Sequence, residues 1–117
     1  MGADGQHEVS DGTLLVRVSQ EGKRRVVVLA GEMDLANAGT AEAELDAALA
    51  AAPAVVVDMR KLEFIDSTGI ALLVGIIGRD SDSVAVGFIP SEFPAVTRVL
   101  ELTGVAERMA PADAPPA

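Results

Sequence analysis

The fold of this chain is decided by residues 54–79, which read AVVVDMRKLEFIDSTGIALLVGIIGR. The three valines at 55–57 favour a buried strand, because β-branched side chains pack well on a sheet. Asp66, Ser67 and Thr68 are typical of a helix start, since their side-chain oxygens accept hydrogen bonds from the first unpaired N–H groups. The apolar segment behind them has helical character. A buried strand followed by a capped helix predicts an α/β arrangement.

Ser67 is the residue that we predict to be modified. Its hydroxyl is expected where a helix presents free N–H donors and the positive end of its dipole, so that a phosphate there is partly satisfied by backbone. Asp66 lies beside it and would repel the same phosphate. This combination is typical of a switch. Taken alone, the Asp-Ser-Thr-Gly tetrapeptide favours a plain helix cap, because Ser, Thr and Asp begin helices in many proteins.

The composition argues against several classes of function. The chain has 117 residues, enough for one domain with one core, and half of them are hydrophobic. It has no cysteine and a single histidine, His7, so we expect no thiolate or histidine-ligated metal site and no serine–histidine pair. The net charge of −9 argues against nucleic acid and anionic membranes, and it favours a partner with a basic surface.

The sequence shows neither a secretory signal nor a membrane span. The first twelve residues are polar and acidic, without a basic start or an apolar core. The apolar run at 70–77 is shorter than the ~20 residues that a bilayer span requires. We therefore expect a cytoplasmic protein.

Strands and helices alternate along the chain. We predict a flexible leader at 1–12, a folded domain at 13–109 and a disordered tail at 110–117. Strands are expected at 13–19, 25–30, 54–59 and 84–89, helices at about 40–52, 67–79 and 91–102, and a short edge strand at 105–109. The fold is then a mixed sheet of four to five strands packed with three or more helices, with an antiparallel opening pair and later strands in crossover units.

Helical spacing predicts which side of each helix is buried. The stripe of the first helix comprises Ala41, Leu45, Ala48, Leu49 and Ala52. The main apolar face of the second comprises Ile70, Leu73, Val74 and Ile77, and Leu72 and Ile76 lie on another apolar face. Either Asn37 or Thr40 is expected to cap the first helix, and Ser91 the third, because Phe93 has no capping oxygen.

Three glycines have distinct expected roles. Gly31 is expected at a bend where backbone passes close. Gly75 and Gly78 lie within or near the second helix, where glycine is unfavourable. They indicate either tight helix–sheet packing or a flat groove for docking, and the sequence leaves both open.

Four segments together resemble the STAS domain, and specifically the small single-domain anti-sigma-factor antagonists of bacteria. They are GEMD at 31–34, VVVDM at 55–59, FIDSTG at 64–69 and PAVTRVLELTGV at 94–105. The resemblance covers residues 13–109 and implies a STAS-like fold, in which the GEMD element lies near the phosphorylated serine. Phe93 replaces a serine common in the family, and the loop after the second helix looks shortened.

The resemblance also implies a mechanism. Such antagonists bind an anti-sigma factor that is a serine kinase of the GHKL type, and so release a sigma factor for transcription. The kinase phosphorylates the serine that corresponds to Ser67 and binding is lost, until a metal-dependent serine phosphatase restores it. The residues expected to contact the partner are Glu32, Asp34, Asp66, Thr68, Gly69, Ala71 and Gly75. From the residues themselves we expect no catalysis by this chain, no cofactor and no metal.

Several alternatives stay open or are less favoured. Glu32 and Asp34 could equally form a solvated strand end. Asp58 is better explained as a carboxylate at a strand end than as the phosphoacceptor of a response-regulator receiver, because the sequence lacks the acidic pair and the late lysine of that site. A second possible role is a STAS scaffold in a lipid-transport ATPase or a stress-sensing complex. An enzyme is least favoured, because no nucleophile–base pair or phosphate-binding glycine loop occurs.

Overall fold

Six strands form one mixed sheet in the structure, a computed structural model that describes residues 6–114. The strands are β1 (His7–Asp11), β2 (Leu14–Glu21), β3 (Arg24–Met33), β4 (Ala54–Asp58), β5 (Leu62–Ile65) and β6 (Ala85–Ile89). The helices are α1 (Ala38–Ala51), α2 (Ser67–Ile77) and α3 (Pro94–Leu102), followed by a 3-10 turn at Ala106–Arg108. The predicted α/β class is confirmed, with one strand more than the four to five expected.

The sheet has the strand order β1-β2-β3-β4-β6, and β5 pairs with the far end of β3. The pairs β1–β2 and β2–β3 are antiparallel, whereas β4, β5 and β6 join in parallel, as predicted. A register shift between Gly31 and Glu32 separates the part of β3 that pairs with β4 from the part that pairs with β5. Gly31 has φ +94°, and a Cβ there would lie 2.0 Å from the Thr13 carbonyl oxygen, which confirms the predicted close approach.

The main core lies between one face of the sheet and the three helices. The predicted stripe of α1 is confirmed, because all five of its residues are buried. In α2 the most deeply buried large side chains are Leu72, Leu73 and Ile76, whereas Ile70, Val74 and Ile77 are only partly buried. The predicted face of α2 was therefore partly wrong, since this helix is apolar on most sides and its periodicity identifies no single face.

Several predicted boundaries were wrong. Residues 7–11, expected in a flexible leader, form β1 and pair with β2. β5 lies between the predicted strand at 54–59 and the predicted helix at 67–79, where no strand was expected. Residues 106–108 form a 3-10 turn instead of part of an edge strand. Residues 1–5 of the leader and 115–117 of the tail lie outside the described residues.

The start of α3 also differs from the prediction. Phe93 is at the N-cap position, with Pro94 in the first turn and no side-chain cap. The Ser91 hydroxyl instead accepts a hydrogen bond from the Phe93 N–H at 2.9 Å and donates one to the Leu62 carbonyl at 2.6 Å. Ser91 therefore joins α3 to β5 and does not cap the helix.

The C-terminal segment 110–113, expected to be disordered, lies against the sheet. The Phe88 N–H donates to the Ala110 carbonyl at 2.8 Å, and the Ala112 N–H donates to the Phe88 carbonyl at 3.0 Å. Ala112 packs on a small apolar cluster of Val26, Val56 and Ile89, separate from the helix-covered core. The Asp113 carbonyl accepts a hydrogen bond from the Arg24 guanidinium at 3.1 Å. We call this segment the C-terminal strap.

Ending the chain at Met109 is expected to lower the free energy of unfolding by about 1–3 kcal/mol. The truncation removes two backbone hydrogen bonds, each worth roughly 1 kcal/mol, and uncovers part of the apolar cluster. Urea denaturation followed by circular dichroism measures the change. A control that lacks only residues 115–117 keeps the strap. Equal stability of the two truncated proteins would contradict a structural role for the strap.

Asp58 is a buried carboxylate on the same face of the sheet as that cluster. Its side chain is 3% exposed, and it accepts hydrogen bonds from the Arg60 guanidinium at 2.7 and 3.0 Å and from the Arg60 N–H at 3.1 Å. Burial acts to raise the pKa of Asp58, but the Arg60 hydrogen bonds and the charges of Arg60 and Lys61 outweigh it and hold the pKa below its usual range. The structure thus supports the reading of Asp58 as a strand-end carboxylate with a structural partner.

Asp58→Asn is expected to destabilise the protein by about 1–3 kcal/mol at neutral pH, because hydrogen bonds to a charged group are lost. The pKa of this carboxyl is lower in the folded state, so its stabilisation is present above its unfolded pKa of about 3.9 and is lost as pH falls through the folded pKa. The stability gap between the two proteins should therefore shrink below about pH 4. Denaturation curves at several pH values test this, and a gap that is constant down to low pH would contradict it.

Candidate functional site

Ser67 is the first residue of α2 and is exposed. The preceding residue, Asp66, is the N-cap, and its Oδ1 accepts hydrogen bonds from the N–H groups of Thr68 at 2.9 Å and Gly69 at 3.1 Å. Within residues 6–114 the Ser67 hydroxyl makes no hydrogen bond to the protein. Asp66 thus performs the capping, and the Ser67 side chain is free for another role.

This arrangement corrects one expectation about a phosphate at Ser67. We expected the first N–H groups of the helix to be available to it, but the Asp66 carboxylate already accepts two of them. A phosphate on Ser67 would add negative charge beside an ionised carboxylate that is fixed in place. The helix dipole still favours an anion at this end, but the phosphate gains less from backbone donors than the sequence suggested.

The other Asp66 oxygen connects α2 to the turn between β3 and α1. Oδ2 accepts a hydrogen bond from the Leu35 N–H at 3.1 Å, and the Asp66 N–H donates to the Met33 carbonyl at 3.2 Å. Asp66 therefore fixes the turn, residues 34–37, against the start of α2. The two motifs that lie 31 residues apart in sequence meet at this carboxylate.

The buried side chain of Asn37 stabilises the same turn, residues 34–37. Its side chain is 3% exposed, its Oδ1 accepts from the Asp34 N–H at 2.9 Å, and its Nδ2 donates to the Glu32 carbonyl at 3.0 Å. The Asp34 carboxylate accepts from the Ala36 N–H at 3.0 Å. Asn37 occupies the N-cap position of α1, but its side chain makes no capping hydrogen bond, so the predicted side-chain cap was wrong. The side chain instead stabilises the turn.

The two acidic residues predicted as partner contacts lie close to Asp66. Glu32 is exposed and pairs with Phe64 where β3 meets β5, and the next pair, Met33 with Ile65, is buried. Asp34 is half-buried in the turn. The carboxyl ends of β3 and β5 thus bring the Glu-Met-Asp and Asp-Ser-Thr-Gly motifs to the same edge of the sheet.

The outer face of α2 extends from the serine. Ser67, Ala71 and Gly75 are exposed at i, i+4 and i+8, so they follow one side of the helix. A Cβ on Gly75 would meet no other part of the protein within 4 Å, which excludes tight packing as the reason for this glycine. At Gly78, the C-cap of α2, a Cβ would lie 3.4 Å from the Gly75 carbonyl oxygen.

Gly69 has a structural role in the fold. It is buried, and a Cβ there would lie 2.6 Å from Cγ1 of Ile65 and 3.2 Å from Cε of Met33. The absence of a side chain lets the first turn of α2 approach β5 and β3 closely. Gly69 is therefore a packing residue, and its predicted contact with a partner stays a prediction.

A shallow groove of about 370 Å³ separates α1 from α2 beside the turn. It is lined by Leu35, Ala38, Gly39, Glu42, Thr68, Ala71 and Leu72. Leu35 is 77% exposed and borders this groove, so it adds an apolar side chain to the groove's small and apolar lining. Sequence reasoning missed Leu35, although a lone large apolar residue in a polar turn was a usable signal.

Residues 6–114 contain neither a candidate metal site nor a candidate membrane-spanning helix. No group of three or more His, Asp or Glu side chains is placed to hold a metal ion. In the same residues, no helix has the length and apolar character needed to cross a bilayer.

Comparisons with known proteins give a consistent result. A family model described as "Mlab, STAS domain" matches residues 16–111. The crystal structure of an anti-sigma factor antagonist from Mycobacterium paratuberculosis aligns with a TM-score of 0.73 and 25% identity, covering 94% of this chain and 89% of that one. No curated protein matches the sequence.

Two structures of the anti-sigma factor antagonist SpoIIAA also align. The unphosphorylated form has a TM-score of 0.67 and 22% identity, covering 84% of this chain and 88% of that one. The phosphorylated form, from Bacillus, has a TM-score of 0.60 and 21% identity, covering 84% and 91%. At these identities the alignment shows the fold, and it extends over most of both chains.

Asp66→Ala is expected to lower the free energy of unfolding by about 1–2 kcal/mol, the usual cost of losing an N-cap, with a further loss at the Leu35 N–H. Ser67→Ala should change it by less than about 0.5 kcal/mol, because this exposed side chain makes no bond that the fold needs. Thermal and urea denaturation of both variants measure the two effects. A larger loss for Ser67→Ala than for Asp66→Ala would contradict the assignment of the cap.

Proposed function

Since this chain belongs to the STAS-domain family, we propose that it acts as an anti-sigma-factor antagonist that phosphorylation of Ser67 switches off. The free, exposed Ser67 hydroxyl beside the fixed Asp66 carboxylate carries the proposal. Structural neighbours over most of the chain are anti-sigma factor antagonists, and one of them, SpoIIAA, has been solved in phosphorylated and unphosphorylated forms. The proposed partner is an anti-sigma serine kinase of the GHKL type.

In the unmodified state, the kinase docks on the turn and the outer face of α2. The contact residues that we propose are Glu32, Asp34, Asp66, Thr68, Ala71 and Gly75. Acidic side chains at the edge of the contact and small ones on the helix suit a partner that brings basic residues around a closely fitting centre. While the kinase is held in this way, the sigma factor is free for transcription. This role places the protein in the cytoplasm, where the kinase finds ATP.

Phosphorylation ends the complex through charge. The Ser67 oxygen attacks the γ-phosphorus of ATP, the bond to the bridging oxygen breaks, ADP leaves, and the hydroxyl proton passes to a base of the kinase or to water. The modification adds about −1.5 to −2 charges at pH 7 beside Asp66. Returning to the complex would then require burying that charge against an already acidic surface, which repulsion and desolvation oppose.

The same geometry lets the switch act without unfolding the domain. Ser67 is exposed, and within residues 6–114 no hydrogen bond involves its hydroxyl. Asp66 keeps its cap, and Gly69 keeps its packing, whether or not Ser67 is modified. A metal-dependent serine phosphatase can therefore restore the binding form simply by removing the phosphate.

Incubation with a GHKL-type anti-sigma kinase that binds this protein, together with ATP and Mg²⁺, is expected to place one phosphate on Ser67. Peptide mass spectrometry locates it. Ser67→Ala should take up no phosphate, whereas Ser83→Ala, a change at another exposed serine, should be phosphorylated like the unchanged protein. Calorimetry should show at least about tenfold weaker kinase binding for Ser67→Asp and near-normal binding for Ser67→Ala.

Two results would overturn the proposal. One is an unmodified Ser67 after incubation with a kinase that binds the protein. The other is co-purification with a transporter ATPase or a large stress-sensing assembly in place of the kinase, which would favour the scaffold role.

A further inference from the structure

Leu35 is the large apolar side chain that the site leaves most open to water. It is 77% exposed, at the corner where the β3–α1 turn meets α2. Its own backbone N–H is bonded to Asp66, the residue next to Ser67. The core does not need this leucine, so packing within the domain does not explain a bulky apolar side chain at this corner.

The turn holds Leu35 in a fixed position. Asp66 accepts the Leu35 N–H, Asp34 accepts the Ala36 N–H, and the buried Asn37 side chain bonds to the backbone on both sides of the turn. A side chain presented on such a braced turn loses little backbone freedom when a partner binds it. A partner can therefore bury this exposed apolar group at a small cost in conformational entropy.

The surroundings of Leu35 have the layout of an interface. Beside it lies the shallow α1–α2 groove, whose lining is mainly small or apolar: Ala38, Gly39, Ala71 and Leu72. Small side chains let another protein surface approach closely. Glu42 lines the same groove, and Glu32 and Asp34 precede Leu35 in the chain, so carboxylates flank the apolar part. Protein interfaces commonly have such an apolar centre with a polar rim.

We propose that Leu35 is the anchor with which this protein selects its kinase, inserted into an apolar pocket that Lys and Arg side chains of the kinase surround. This inference rests on the proposed function and adds to it the residue that determines partner choice. Charge indicates which kind of partner binds at Leu35. The flanking carboxylates and the net charge of −9 favour a partner with a basic surface, and they disfavour a second copy of this acidic chain.

The location of the anchor also links recognition to the switch. Asp66 contacts the Leu35 backbone through one carboxylate oxygen and the first turn of α2 through the other. A kinase that binds Leu35 is therefore aligned with the start of α2, where Ser67 is the residue that it phosphorylates. The phosphate that the kinase adds to Ser67 then lies next to the surface that the kinase binds, and the phosphorylated protein is released.

The test compares Leu35→Ala with Leu102→Ala in the full-length protein, with the same GHKL-type anti-sigma kinase that is used to test phosphorylation of Ser67. Leu102 is a matched control, because it is 87% exposed and lies at the end of α3, outside the site. We expect Leu35→Ala to weaken kinase binding by at least about tenfold in calorimetry, and Leu102→Ala by less than about twofold. Leu35→Met, which keeps an apolar anchor, should recover most of the affinity.

Steady-state phosphorylation gives a second readout. Leu35→Ala should raise the KM for this protein as substrate by about tenfold and leave kcat close to its usual value, because Ser67 and Asp66 are unchanged. Glu42→Gln should slow association, most strongly at low salt. Circular dichroism melting of Leu35→Ala should match that of the unchanged protein, since an exposed side chain adds little to stability.

The outcomes separate the two proposals. If the kinase binds and phosphorylates the unchanged protein, but Leu35→Ala binds as tightly, the anchor is wrong and the proposed function stands. A loss of affinity as large for Leu102→Ala as for Leu35→Ala would likewise overturn the anchor. If the kinase neither binds nor modifies the unchanged protein, the proposed function fails and the anchor fails with it.

Discussion

The Asp66 carboxylate is the interaction on which the site depends. One oxygen accepts the N–H groups of Thr68 and Gly69, which starts α2, and the other accepts the N–H of Leu35 in the turn after β3. Three donors from two distant segments thus converge on one side chain. Because a charged acceptor makes stronger hydrogen bonds than a neutral one, this carboxylate can set the relative position of the helix and the turn.

The cap by Asp66 also leaves the proposed modification site, Ser67, outside the hydrogen bonds that begin α2. A serine that capped its own helix could not be modified without a cost to stability, whereas here Ser67 is relieved of that role. On the inner side of the same turn of helix, Gly69 packs closely on Ile65 and Met33. The first turn of α2 therefore has a structural side and a side that is free to change its charge.

β3 makes this geometry possible, because it serves two neighbours in succession. Its first part pairs with β4 and its last part with β5, with the change at Gly31, whose close contact with Thr13 tolerates no side chain. The end of β3 is thereby directed to the start of α2. On the other face of the sheet, the C-terminal strap covers apolar residues that no helix reaches.

The sequence by itself determined the elements that carry a local side-chain signal. The valine-rich strands, the buried stripe of α1, the helix start at Asp66 and Ser67 and the bend at Gly31 were all readable, as was the α/β class. What only the tertiary structure decided lacks a clear side-chain pattern. β1 and the C-terminal strap are held mainly by backbone hydrogen bonds, and β5 is a four-residue strand whose two buried residues, Leu62 and Ile65, are too few to show an alternation. The local motif offered the oxygens of Asp66, Ser67 and Thr68 as candidates for the cap of α2, and the structure assigns the cap to Asp66. The position of Leu35 beside α2 follows from its hydrogen bond to Asp66 across 31 residues, a contact that no local pattern records.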